Sequence, residues 1–548
     1  MKETAPSRKH RFVMGDLVAP AVVLAARRKS RKLFFSIIAA MLLPWGTAGA
    51  TQFQVTLPVD QTGPVSGRLI VFARPLSNTT SSLPESIDAS SFEPRDGVIV
   101  AAQEVSAWAP GRTINLDADI SAYPAAFKDA VAGRYAVQVV LDVDHNYARD
   151  GRGAGDLVSP VVALNLPAGG SLVLTHALPP ADPWKLPASA TTETVADAAA
   201  ARPFIREFSV PSAVLTRFQG RPMAMKGYVV LPPGYGESKG HYPVVYWFHG
   251  FGGPPFNLTM SAMRFQRMMA RGEMPPMIWV IPDMSEPAGP TEFVDSVNNG
   301  PWGMAFTTEL VPYFDQAYRT RATPEARFLT GHSSGGWASL RLQITYPRLF
   351  GGSWSTSPDP VDFHAFINAD LYAPDANVYR GQDGRQLAQT RPRGSVQAID
   401  FESSTRLELV LGTYGGQITA FDWVFSPRGE DGRPQAMFDH ESGRVDPVVL
   451  KYWHDHFDQT VALTRLSASD RRALAGKIHL WVGSQDTFYL DRAAIRFAEM
   501  ANQGGIDVKL TVVPERDHFN LYTQGTDRLA LFKVIAAQMQ AKYQNPPK

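Results

Sequence analysis

The spacing of apolar positions changes partway along this chain. Between residues 51 and 178, short apolar runs alternate with turn residues, as in Arg68-Leu69-Ile70-Val71-Phe72-Ala73 and Tyr135-Ala136-Val137-Gln138-Val139-Val140-Leu141. Short strands at regular spacing predict a small all-β sandwich domain there. Residues 179–203 are rich in proline, alanine and threonine without a period, and read as a linker. From Phe204 onward strands alternate with helices. Residues 243–248 and 277–281 are nearly continuous apolar runs, the pattern of parallel strands buried on both faces. Further strands fit 326–330, 350–355, 477–482 and 508–513, and a last amphipathic helix fits about 527–539. Residues 204–548 are therefore predicted to form an α/β domain around a central, mostly parallel sheet. One stretch, about 358–475, breaks the alternation and is rich in Asp, Gly, Pro and Arg. A loop of that length in a compact domain predicts a functional excursion, a lid or a pocket wall.

Composition narrows the class. The 548 residues exceed one ordinary domain, and 44% hydrophobic with 19% charged residues is globular. A net charge of +1, with no dense basic stripe after residue 32, gives no sign of nucleic-acid binding. The early basic residues have another use. Arg27-Arg28-Lys29-Ser30-Arg31-Lys32 precedes the apolar run 33–43, and Ala48-Gly49-Ala50 follows it. A basic region, a short apolar core and an A-x-A-like site predict a signal peptide over residues 1–50, and hence a periplasmic or secreted protein. This eleven-residue run is too short to span a bilayer. The paired arginines suggest a twin-arginine signal, although the residues after them fit that pattern poorly. With no cysteine, neither a disulfide framework nor a thiolate nucleophile is available.

The chemistry centres on Gly331-His332-Ser333-Ser334-Gly335, set between a strand-like run and a helical pattern. G-x-S-x-G at a strand-to-helix turn is a nucleophile elbow, in which flanking glycines let neighbouring backbone pass close to a strained serine. A serine hydroxyl needs a positioned base, and the base needs an orienting acid. On such a sheet the chain order is serine, acid, histidine. Asp486 directly follows the strand at 477–482, and His518 follows the strand at 508–513, so both sit where open α/β sheets place their ligands. Among competitors, His332 would lie beside the nucleophile on the turn, His479 falls within a strand, and His454 and His456 fall in a helical stretch. Asp491 enters the next helix, and Asp517 adjoins the histidine it would have to orient. The tetrahedral oxyanion requires donors, expected from the backbone N–H groups of Ser334 and Phe251, the latter in the glycine loop His249-Gly250-Phe251-Gly252-Gly253. His249 itself reads as structural. No cofactor and no metal enter this scheme.

From about Arg206 to the end the chain resembles the esterase family that includes esterase D, feruloyl esterases and enterochelin esterases. The segments that carry the resemblance are Phe248 through Gly253, Glu309-Leu310-Val311-Pro312-Tyr313-Phe314, the elbow, Gly483 through Asp486, and Asp517-His518-Phe519. The resemblance implies an α/β-hydrolase fold and carboxylic-ester hydrolysis, with the nucleophile at Ser333, the acid at Asp486 and the base at His518. The excursion at 358–475 is longer than in compact members, so substrate specificity does not carry over. The expected substrate is a small-molecule or glycosidic ester, with no nucleic-acid partner and no stable membrane span after leader removal. Aromatic residues Trp302, Trp337 and Phe488 suit either an aromatic substrate or the core.

Other readings use the same residues. An acyltransferase would replace water by an alcohol at the same triad. A prolyl-oligopeptidase-type exopeptidase would need a propeller repeat, which the N-terminal region lacks. A binding protein could retain the hydrolase only as scaffold. In the N-terminal region, Asp142-Val143-Asp144-His145-Asn146 is similar to the start of a calcium loop, but Tyr147 and Gly153 occupy the positions an EF-hand gives to glycine and glutamate. A solvated, hydrogen-bonded turn is the better reading.

Overall fold

The computed structural model describes residues 50–77, 82–90, 97–252, 255–394, 396–412 and 414–545. The expected leader, apart from Ala50, lies outside the described residues. Strands Gln52–Thr56, Thr113–Asp117 and Gly170–Val173 form a three-stranded sheet, and a second, seven-stranded sheet is centred on Val65–Pro75 between Ile99–Trp108 and Gly133–Asp142. Both of these neighbours run antiparallel to Val65–Pro75, with Val71 opposite Ala101 on one side and Val139 on the other. Side chains alternate across the strand. Leu69, Val71 and Ala73 meet Phe53, Val55 and Leu116 of the smaller sheet in one apolar core. Ile70 and Phe72 point the other way and pack with Leu407, Val410 and Leu411 of helix Phe401–Leu411. Burial on both faces accounts for the unbroken apolar run at 69–73.

The larger sheet contains β1 (Ile205–Pro211), β2 (Ala224–Val230), β3 (Val244–Phe248), β4 (Ile278–Pro282), β5 (Arg327–His332), β6 (Gly352–Thr356), β7 (Ile478–Gly483) and β8 (Val508–Val513). Their order is β1-β2-β4-β3-β5-β6-β7-β8. Only the β1–β2 and β2–β4 pairs are antiparallel; every pair from β4 to β8 is parallel. Within β3, Val245 and Trp247 face one side, where they join helices α2 (Pro255–Ala270) and α5 (Ala530–Gln544). Val244, Tyr246 and Phe248 face the other, with Ala338 and Leu342 of α3 (Ser334–Thr345). A strand covered on both faces must be apolar at every position, as these are. Helix α4 (Leu490–Gln503) packs on the far end, where Ala493 and Phe497 join Ile478 and Leu480.

Two stretches are more ordered than their composition suggests. Residues 179–203 contain helix α1 (Thr192–Ala201), capped by Thr191 Oγ1 accepting from Thr194 N, and its Glu193 and Asp197 pair with Arg271. An alanine-rich, weakly amphipathic helix has little periodic signal, so it read as linker. The excursion after β6 is not a bare loop either. It holds helices Phe401–Leu411, Gln417–Phe425, Pro447–His456, Gln459–Thr464 and Ala468–Ala473, whose Phe401, Phe421, Phe425 and Trp453 share a core with Trp337 of α3. The intervening Gly- and Pro-rich turns masked their periods. The excursion therefore bridges the N-terminal sheets and the larger sheet.

Inside that bridge Asp422 is buried, accepting from Met437 N at 3.0 Å and from Ser426 Oγ at 3.3 Å. Burial, assisted by nearby Glu408, pushes its carboxyl up to about 7. The unfolded carboxyl ionises near pH ~3.9, so between there and the folded value the native state holds the extra proton and stability falls as pH rises. Asp422→Asn cannot ionise. The difference in Tm, variant minus wild type, is expected to grow across this pH window and level off above it, which thermal unfolding at a series of pH values checks.

Candidate active site

The elbow has the backbone its motif demands. Ser333, between β5 and α3, sits at φ 58° and ψ −123°, a left-handed conformation that a non-glycine residue adopts only when its surroundings impose it. The flanking glycines supply those surroundings. A Cβ on Gly331 would lie 2.2 Å from the Gly335 carbonyl oxygen, and one on Gly335 would lie 2.1 Å from that of Phe248. The turn is thus wedged against the end of β3, with Ser334 as the first residue of α3. The N–H groups of a helix's first turn have no partner within the helix and favour negative charge. Ser333 keeps partial access to solvent, whereas Ser334 is fully buried.

The glycine loop after β3 comes directly against the nucleophile candidate. A Cβ on Gly250 would lie 3.1 Å from Ser333 Cβ, which puts the residue before Phe251 in contact with the elbow. His249 is structural, as expected. It is buried, its Nδ1 donates to the Gly250 carbonyl at 2.7 Å, and its Nε2 accepts from Met284 N at 3.0 Å. The outer side of the loop meets an unexpected neighbour. A Cβ on Gly252 would lie 3.4 Å from the carbonyl oxygen of Arg149, in the N-terminal region.

That contact comes from the Asp142–Asp156 segment. Asp142 accepts from Asn146 N at 3.2 Å and Tyr147 N at 3.0 Å, while Asp156 accepts from Val143 N at 3.1 Å and Gly153 N at 2.6 Å. Both carboxylates are buried, so this is a closed turn and not a solvated one. Among the described residues no group of three or more acidic, histidine or cysteine side chains is arranged to hold a metal. The turn presents the short helix Tyr147–Asp150, whose Arg149 donates to the Glu286 carbonyl and pairs with Asp150.

Asp486 and His518 meet. His518 Nδ1 and Asp486 Oδ2 are 3.0 Å apart, and both residues are buried. An ionised carboxylate only accepts, so Nδ1 carries the proton and Nε2 is left as the basic nitrogen. The other oxygen, Asp486 Oδ1, accepts from Phe488 N at 3.0 Å and Leu490 N at 3.3 Å, which fixes the carboxylate at the start of α4. Burial alone would raise this carboxyl, but the charge and hydrogen bond of His518, with Ser357 and the Phe488 N–H, outweigh it and hold it below the usual carboxylate range. The His518 ring lies 4.4 Å from the ring of His332 and edge-on to Phe488 at 5.0 Å. Burial drives His332, itself part of the elbow, down to about 3, so it stays neutral beside His518.

Other expectations resolve simply. His479 lies in β7, stacked on Trp354, and His454 and His456 lie in Pro447–His456. Asp491 is in α4, ion-paired with Arg391, and Asp517 caps its own loop through Phe519 N and Asn520 N. Trp302 and Trp337 belong to the core. Glu309 caps helix Ala213–Gln219 through Ser212 Oγ and Val214 N. The excursion does reach the candidate site. Arg391 Nη1 donates to the Asp486 carbonyl at 2.5 Å, and Arg393 lies 4.3 Å over the ring of Phe519.

Two carboxyls at the elbow have no place in the sequence-derived scheme. Ser333 Oγ donates to Asp359 Oδ1 at 3.2 Å, and Ser334 Oγ donates to Asp359 Oδ2 at 2.7 Å. Glu292, fully enclosed and with φ 54°, lies behind Ser334, and its Oε2 has no hydrogen-bond partner. Burial, with the charge of Asp359, pushes its carboxyl well up. Asp359 follows β6 within three residues, so the strand-end rule that picked out Asp486 also applies to it. Its place at the start of the presumed excursion hid it. Glu292 lies in an irregular stretch with no comparable signal.

A mostly parallel sheet with helices on both faces, a strained serine between β5 and α3, and a histidine–carboxylate pair at the ends of β7 and β8 define an α/β-hydrolase fold. Residues 221–534, more than half of the chain, match the family described as Putative esterase, and the chain belongs to that family. It is 29% identical over 206 residues to Esterase Rv1288 of Mycobacterium tuberculosis, an alignment covering 36% of this chain and 44% of that protein. The matched region thus spans less than half the length of that relative. Among solved structures, a ferulic acid esterase aligns at 14% identity and TM-score 0.37, covering 62% of this chain and 97% of that one. An S-formylglutathione hydrolase from Agrobacterium tumefaciens aligns at 15% identity and TM-score 0.34, covering 63% and 95%.

Proposed function

We propose that the protein is an exported serine esterase that hydrolyses carboxylic esters through Ser333, His518 and Asp486. The observation that carries this reading is the buried 3.0 Å bond between His518 Nδ1 and Asp486 Oδ2, which leaves a basic Nε2 beside the elbow. Ser333 attacks the ester carbonyl and its proton passes to His518 Nε2. The carbonyl π pair moves onto oxygen, where the N–H groups of Phe251 and Ser334 receive it. The imidazolium, held by Asp486, then protonates the departing alcohol. Water repeats the sequence on the acyl-enzyme with His518 again as base, and the acid leaves.

The leader-like residues 1–50 support export, and the two packed sheets before residue 178 support an accessory β-sandwich domain. The substrate class is a small-molecule or glycosidic ester. A fluorophosphonate probe tests the reading. Peptide mapping by mass spectrometry is expected to find one adduct, on Ser333, with ester turnover falling in proportion to labelling. An adduct elsewhere, or full turnover after stoichiometric labelling of Ser333, sinks it.

A further inference from the structure

We infer that Asp359 is a fourth catalytic residue, a second carboxylate that orients the Ser333 hydroxyl and faces the positive charge formed on His518 during attack. This rests on Ser333 being the nucleophile. The geometry is a clasp. Both oxygens of Asp359 accept from consecutive hydroxyls, Ser333 Oγ at 3.2 Å and Ser334 Oγ at 2.7 Å, and the Asp359 N–H donates to the Ser333 carbonyl at 3.2 Å. Three links therefore tie this residue to the two positions that supply nucleophile and oxyanion donor. Asp359 is only 5% exposed, so its charge is weakly screened.

The ionisable groups acting on Asp359 come from separate elements. Glu292, from the stretch after β4, and Asp486, from the loop after β7, oppose its charged form; His518, from the loop after β8, favours it. Burial is the largest influence and raises the Asp359 carboxyl, while the Ser334 and Ser333 hydroxyls and His518 act against that rise. Glu292 Oε2 has no donor, whereas both oxygens of Asp359 accept from hydroxyls, so of the two carboxyls Asp359 is the better placed to carry charge. Electrostatic influence is mutual. If His518 in its charged form stabilises the Asp359 carboxylate, that carboxylate stabilises the imidazolium by the same amount. Before attack, Ser333 turns its O–H from Asp359 Oδ1 to His518 Nε2, and Asp359 keeps its hold through Ser334 and the backbone. No proton leaves Asp359 and no bond to it forms.

The test is the pH dependence of Asp359→Asn, an isosteric change that removes the charge. On a p-nitrophenyl ester, kcat is expected to fall about ten- to hundredfold, the worth of a hydrogen bond to a charged group, with KM nearly constant. The acid limb of kcat/KM is expected to move to lower pH, because an anion that favours the protonated base is gone. Ser334→Ala provides a weaker change of the same sign and covers the case in which the first variant does not fold. Losing the donor on Oδ2 makes the carboxylate harder to form, so less negative charge faces His518 and the limb again moves to lower pH, by less than in Asp359→Asn. An acid limb unshifted in the folded variants overturns the inference whatever happens to kcat, since a packing role has no reason to move it. Fluorophosphonate labelling of the wild type separates the two levels: an adduct on Ser333 with unmoved limbs removes only the role of Asp359, whereas no adduct on Ser333 removes the nucleophile as well.

Discussion

Ser333→Ala is expected to lower kcat/KM on an activated ester by on the order of 10⁴- to 10⁶-fold, leaving the small residual rate that binding and oxyanion donors provide. The size follows from what the residue does. Without Oγ no acyl-enzyme forms, and the two-step route collapses to direct attack by water. The backbone, however, is held by its neighbours: the Phe248 carbonyl against Gly335, the Thr356 carbonyl accepting from Ser333 N at 3.1 Å, and Trp337 N donating to the Ser333 carbonyl at 2.9 Å. None of these uses the hydroxyl. The loss should therefore come with an unchanged circular dichroism spectrum, and steady-state kinetics at matched active-site concentration reads it. Near-wild-type turnover by the folded variant would show that the serine is not the nucleophile.

Asp486→Asn should produce the second-largest loss, on the order of 10⁴-fold in kcat with a small effect on KM. The amide can keep the two Oδ1 contacts to Phe488 N and Leu490 N, so the loop at the start of α4 retains its shape. What changes is the group facing His518. An N–H₂ in place of Oδ2 has no lone pair to accept from Nδ1–H, so the imidazole moves its proton to Nε2 and presents a donor to Ser333 where a base is needed. A buried imidazolium also loses the one carboxylate bonded to it. The check is kcat and KM measured separately, since a loss confined to KM would mean that Asp486 shapes the binding site and does not orient the base.

The legibility of this chain follows the length scale of each signal. The sheet could be read because strands buried on both faces leave continuous apolar runs, and β3, β4, β5, β6, β7 and β8 all fell within two residues of their expected positions. Ser333, Asp486 and His518 could be read because each lies at the carboxyl end of a strand, a position that local sequence marks. Asp359 meets the same criterion but was absorbed into the excursion, whose glycines and prolines concealed five helices. Glu292 could not be read. Its burial depends on residues far away in the chain that meet only when α3 and β6 are assembled, and an isolated glutamate in an irregular stretch normally signals solvent. Arg149 was missed for a similar reason: a turn that resembled a calcium loop gave no hint of what it would touch.

The carbonyl of Arg149 resting on Gly252 bears on how such a chain could be rearranged over evolution. The region that matches the esterase family begins at residue 221, which invites the picture of a self-contained cassette to which other segments are added freely. Here the N-terminal segment lies against the glycine loop after β3, and helix Phe401–Leu411 of the excursion is anchored to it through Arg68, which donates to the carbonyls of Leu409 and Val410. Cutting the chain at the apparent boundary would bare the loop at Gly252 and the apolar face around Ile70 and Phe72 together. In this protein the N-terminal sheets and the excursion pack as a pair, so a truncation at residue 221 is expected to cost stability as well as uncover the loop.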